Sequence, residues 1–64
     1  MVKINGEKQN VTGITIAQYI SENDYNIKRV AVELNGDILP KSQYETTVLR
    51  DGDSVEIVSF VGGG

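Results

Sequence analysis

At 64 residues the chain is well short of a common domain length of about 100 to 150, so one compact unit is expected and a second domain is excluded. Nine acidic against six basic side chains leave a formal net charge of -3, which opposes binding to phosphate backbones and argues against a nucleic-acid partner. There is no cysteine and no histidine, so neither a thiol nor an imidazole is available for nucleophilic, redox or soft-metal chemistry. Hydrophobic residues at 39% against 23% charged place the composition on the globular side of the boundary with disorder. No apolar run approaches the about 20 residues of a membrane helix, and Met1, Val2, Lys3 and Ile4 open as a strand rather than a leader. A cytoplasmic protein with no membrane partner is the expectation, and the lack of cysteine agrees with a reducing compartment.

Val2 and Ile4 alternate with Met1 and Lys3, and Asn5 with Gly6 then supplies two residues that tolerate the positive φ of a tight hairpin turn. Residues 7–11 are expected to return as an antiparallel partner. Thr15 and Gln18 fit a capping box, in which the Thr15 hydroxyl accepts from the third helical amide and Gln18 reaches back to the cap. Ile16, Ala17 and Ile20 form a narrow apolar stripe, Gln18, Ser21 and Glu22 face water, and Asn23 with Asp24 ends the helix.

Val30, Val32 and Leu34 alternate with Ala31 and Glu33, and Asn35 with Gly36 repeats the hairpin signal. The chain returns through Ile38 and Leu39 to Pro40, which donates no ladder hydrogen bond and so closes a short edge strand. Ser42 and Glu45 spell a second capping box, suggesting one irregular helical turn, and Asp51, Gly52 and Asp53 make the last tight turn. In the final strand Val55 and Ile57 share one parity, while Val58 and Phe60 share the other with Glu56.

Hairpin, helix, strand, strand, irregular turn and strand make an α+β roll. The predicted architecture is the ubiquitin-like β-grasp: a mixed sheet of about five strands with one main helix packed across one face. Its first and last strands would be parallel neighbours in mid-sheet, which accounts for apolar residues at both parities of the last one. The domain spans 1–61, and Gly62, Gly63 and Gly64 form a flexible C-terminal tail.

Three residues without Cβ atoms make a stalk slim enough to enter a narrow channel and set a terminal carbon beside a bound nucleotide. Gripping it costs roughly 1 to 2 kcal/mol of conformational entropy per residue, so docking energy must come from the folded body. Val58, Phe60 and Val61, apolar and just before the tail, are the candidate partner-binding residues. A terminal carboxyl with a pKa of about 3.3 to 3.7 is ionised at neutral pH and a poor electrophile, so it needs activation. For Asp51, Asp53 and Glu56 a turn and a solvated face suffice, and Tyr44 reads as a core or lid aromatic.

From Arg29 onward the run RVAVELNGDILPKSQYETTVLRDGDSVEIVSFVGGG resembles the ThiS family of sulfur carriers in thiamin biosynthesis. The segments that carry the resemblance are Val32 with Glu33, Leu34, Asn35 and Gly36, then Pro40, Tyr44 with Glu45, Thr46, Thr47, Val48 and Leu49, the turn at Asp51, and the end Val61, Gly62, Gly63, Gly64. Tyr19 stands where that family more often has an aliphatic residue. The resemblance implies a protein that is not itself an enzyme and binds no cofactor. A ThiF-like activating enzyme would use ATP and magnesium to adenylate the Gly64 carboxylate. A cysteine-derived sulfur donor would convert it to a thiocarboxylate, and a ThiG-like thiazole synthase would receive the sulfur. Gly64 is then the sulfur-carrying residue, with Gly62 and Gly63 as its tail. The alternatives are a MoaD-like carrier for molybdopterin, a ubiquitin-like protein modifier, and a non-catalytic interaction module.

Overall fold

The computed structural model of the chain describes residues 1–60. β1 (Val2–Ile4) turns at Asn5 and Gly6 into β2 (Glu7–Gln9), then come α1 (Ile16–Glu22), β3 (Val30–Leu34), β4 (Asp37–Leu39) and β5 (Ser54–Ser59). Two single 3-10 turns, Ile27–Arg29 and Lys41–Gln43, precede β3 and follow β4. The sheet order is β2-β1-β5-β3-β4, with β5 parallel to β1 and antiparallel to β3. The expected β-grasp and its central parallel pair are therefore present.

Both hairpins turn as their sequence requires. Asn5 and Asn35 hold φ of 50 and 52 degrees, a conformation that asparagine tolerates better than bulkier residues. The first hairpin is shorter than expected, because β2 stops at Gln9 and pairs with β1 over only three positions. Beyond it the chain leaves to meet the segment before β5: Gly13 N donates to the Leu49 carbonyl (2.8 Å) and Leu49 N to that of Ile14 (2.7 Å).

Thr15 caps α1, its Oγ accepting from Gln18 N at 3.1 Å. The reciprocal half of the capping box is replaced. The Gln18 side chain instead donates to Glu22 one turn on (3.1 Å). Ile16 N and Ala17 N donate to the Thr47 and Tyr44 carbonyls, so these first-turn donors are satisfied by the rest of the fold. The C-terminus closes on Asn23, whose backbone and side-chain nitrogens both donate to the Tyr19 carbonyl.

The core lies between α1 and one sheet face: Val2, Ile4, Val30, Val32, Val55 and Ile57 from the strands, Ile16, Tyr19 and Ile20 from the helix, with Tyr44 and Leu49 closing it. The inward stripe is wider than the aliphatic one expected. Tyr19, three residues after Ile16, is 4% exposed, while Ala17 is only half-buried. Burying that ring is tolerable because its hydroxyl keeps a partner, donating to Gln9 Oε1 at 3.2 Å. Burial also raises the Tyr44 phenol above its usual pKa, and a backbone hydrogen bond with Val32 partly offsets this.

The second irregular turn also differs from expectation. Ser42 does not cap it; the turn runs Lys41–Gln43 and begins at Pro40, whose fixed φ of -64 degrees suits a helical start without any side-chain cap. The Ile27–Arg29 turn was not foreseen. It is nucleated by Asn26, whose side chain accepts from Lys28 N at 2.9 Å.

Candidate functional site

β5 is the element that leads to the chain end, and its neighbours grip it unequally. β3 pairs with it over five positions, from Leu34 opposite Val55 to Val30 opposite Ser59, and Phe60 N then donates to the Arg29 carbonyl at 2.7 Å. β1 pairs with it over two, Lys3 opposite Ser54 and Ile4 opposite Val55. The Asn5 side chain continues where the β1 backbone turns away: its Oδ1 accepts from Ile57 N (2.8 Å) and its Nδ2 donates to the Ile57 carbonyl (3.3 Å). An amide side chain here reproduces one rung of a strand ladder. Asn35 braces the other end of β5, its Oδ1 accepting from Ser54 N (2.9 Å) and its Nδ2 donating to the Asp53 carboxylate (3.1 Å).

Because α1 covers only one face of the sheet, mid-sheet placement leaves the other face of β5 open to solvent, where the sequence puts its candidate contact residues. Val55 and Ile57 are enclosed, whereas Val58 and Phe60 are 54% and 60% exposed on the open face. Val58 lies opposite Ala31 there, and Glu56 opposite Glu33, so this face passes from acidic to apolar towards the chain end. Two of the three candidate contact residues, Val58 and Phe60, therefore share one exposed patch. Val61, Gly62, Gly63 and Gly64 lie outside the described residues.

The acidic turn has structural partners. Asp53 Oδ2 accepts from Arg50 N at 2.9 Å, and Asp51 contacts the Met1 ammonium, which lowers its carboxyl below the ordinary value through the hydrogen bond and the opposite charge. Among the described residues no group of three or more Asp, Glu, His or Cys is placed to hold a metal ion, and no helix is long and apolar enough to cross a membrane.

Five strands in this order, with one helix across a single face, define a ubiquitin-like β-grasp domain, and the exposed apolar patch sits where the chain leaves it. The chain belongs to the ThiS family, which it matches over residues 2–64. It is 38% identical to the sulfur carrier protein ThiS of Thermus thermophilus, covering the whole of both chains, and 39% identical to that of Bacillus subtilis, again over both in full. It is also 44% identical to a segment of a thiazole synthase from Paramagnetospirillum magneticum, where it spans 19% of that protein's length. Among solved structures, the thiamine biosynthesis protein ThiS of Geobacter metallireducens superimposes with a TM-score of 0.80 at 31% identity, covering 98% of this chain and 97% of that one.

Proposed function

We propose that this protein is a sulfur carrier of thiamin biosynthesis that works through a thiocarboxylate at Gly64. The observation that carries the reading is end-to-end similarity to proteins named as sulfur carriers, in a chain that holds neither thiol nor imidazole of its own. In this scheme the folded body is a handle and the chemistry belongs to its partners.

A ThiF-like enzyme, with ATP and magnesium, joins the Gly64 carboxylate to AMP and releases pyrophosphate. The acyl carbon is then electrophilic. The terminal sulfur of a cysteine-derived persulfide attacks it, AMP departs with the carbon-oxygen bond, and a thiol reduces the remaining S–S bond to free the thiocarboxylate. A ThiG-like thiazole synthase accepts the sulfur; similarity to a segment of a thiazole synthase supports that choice of acceptor over a molybdopterin enzyme. Val58, Phe60 and Val61 contact these enzymes, while Gly62 and Gly63 deliver the end into each active site. Restricting the bare end to a partner's channel keeps the anionic sulfur from being lost as free sulfide.

Incubation with the activating enzyme, ATP and a sulfur donor is expected to raise the intact mass by about 16 Da, one oxygen exchanged for sulfur. No mass gain rejects the carrier; a branched conjugate to lysines of other proteins favours the modifier. Deleting Gly64 is expected to abolish adenylation with no loss of thermal stability, and adenylation that survives the deletion removes Gly64 from its role.

A further inference from the structure

We propose that the surface groove beside the exit of β5 receives an acidic segment of a partner protein bearing one apolar side chain, with Lys28 and Lys41 as its cationic rim. The groove, of about 340 Å³, lies between the start of β3 and the connection from β4 into the Lys41–Gln43 turn. Ala31, Ile38, Pro40 and Phe60 contribute its apolar lining, the two lysines its charge, and it is lined by no Asp or Glu. Ile38 and Phe60, at 79% and 60% exposed, are the most exposed large hydrophobic residues of the described chain. This inference rests on the carrier reading in one respect, that a partner docks next to the tail.

Charge selects the occupant. The protein is acidic, yet three of its six cations, Lys28, Arg29 and Lys41, converge on this end of the sheet. The Lys41 ammonium is held in place by the Lys28 carbonyl at 3.0 Å, and among the described residues neither lysine has an ion-pair partner. Asp51, Asp53 and Asp37 gather at the opposite end of β5 and β3. Seven residues of extended chain separate Asp53 from Phe60, about 23 Å at about 3.3 Å per residue. That exceeds the screening length of about 8 Å in physiological salt, so Asp51 and Asp53 are screened from the rim. The nearer acids, Glu33 opposite Ile38 and Glu56 opposite Glu33, border the groove on its far side and leave its positive edge at Lys28 and Lys41.

Strand addition at the β4 edge is a poor alternative. β4 has three residues, and Pro40 removes the next backbone donor, so too few rungs are on offer. Recognition therefore falls to the side chains: an apolar anchor on Ala31, Ile38 and Phe60, and carboxylates on the two ammonium groups. Such charges mainly accelerate and orient encounter, and the apolar contact sets residence.

The test is a nitrogen-15 NMR titration with two end-blocked peptides, Asp-Glu-Phe-Glu-Asp and Lys-Arg-Phe-Arg-Lys. The acidic peptide is expected to move the amides of Lys28, Ala31, Ile38, Lys41 and Phe60, and the basic one to leave them in place. Raising ionic strength from about 0.02 to about 0.3 M, which shortens the screening length from about 20 to about 6 Å, should weaken the acidic peptide several-fold. Lys28→Gln with Lys41→Gln should weaken it about tenfold, and Lys3→Gln with Lys8→Gln on the far hairpin should not. Equal response to both peptides, no response at millimolar peptide, or shifts centred elsewhere overturn the proposal. Shifts of the same amides on changing protein concentration alone also overturn it, because a second copy is then the occupant. Sulfur loading, read by mass on the same wild-type sample, is independent: loading without peptide selectivity removes only the acidic-partner groove, and selectivity without loading removes only the carrier.

Discussion

The two faces of β5 are built from interleaved residues of one six-residue strand, yet they answer to different demands. Towards α1, Val55 and Ile57 are enclosed and carry stability; away from it, Val58, with Phe60 just past the strand end, is left bare. Period-two geometry makes this separation possible, because a substitution on one parity barely disturbs the other. A domain of this size cannot hide all its apolar surface, but it need not place so much of it beside its chain end. The difference teaches that the enclosed parity carries folding, which leaves the open parity free for the association proposed above.

The sharpest way to break that contrast is Ile57→Ala against Phe60→Ala. Ile57→Ala opens a cavity under α1 and is expected to cost about 2 to 4 kcal/mol, most of the about 3 to 5 kcal/mol available to so small a core, as read by urea denaturation. Phe60→Ala is expected to change stability by less than about 0.5 kcal/mol. It should nevertheless weaken binding to the adenylating and thiazole-forming enzymes by about tenfold, about 1.4 kcal/mol, in calorimetric titration. Equal losses of stability in the two variants would erase the distinction between the faces.

Of intermediate size is Asn5→Gly, which keeps the left-handed turn but removes both hydrogen bonds to Ile57. A loss of about 1 to 2 kcal/mol is expected, with faster hydrogen exchange at the Ile57 amide. Asn35→Gly removes more exposed bonds and should cost about half as much. The smallest effect concerns Tyr44. Burial holds its folded pKa above the ordinary tyrosine value of about 10, so the stabilising neutral form is fully present below that pH and is lost as pH rises through the raised value. Unfolding measured across the alkaline range should show this decline, and Tyr44→Phe should remove it; an unchanged profile would show that another group dominates.

The frame of the molecule was legible wherever a short signal has one physical solution. Asn-Gly after an alternating strand can hardly do anything but turn, and Thr15 before Ile16 begins a helix. What escaped prediction depends on distant partners. Tyr19 could be buried only because Gln9, on another element, accepts its hydroxyl; the three-residue spacing from Ile16 was the available clue. The Gln18 half of the capping box lost to Glu22, and the Ile27–Arg29 turn was too short to show a period. The patch was half legible. Strand parity identified Val58 and Phe60, but Lys28, Ile38 and Lys41 gather beside Phe60 through tertiary pairing alone.

A strand flanked on both sides has a mechanical consequence. Traction applied at its outgoing end acts along β5, so the ladders to β3 and β1, with the Asn5 rung, are loaded in shear and share the force. They do not peel apart one bond at a time. On the carrier reading proposed above, an enzyme that reels in the end can tug firmly without unravelling the body that it holds.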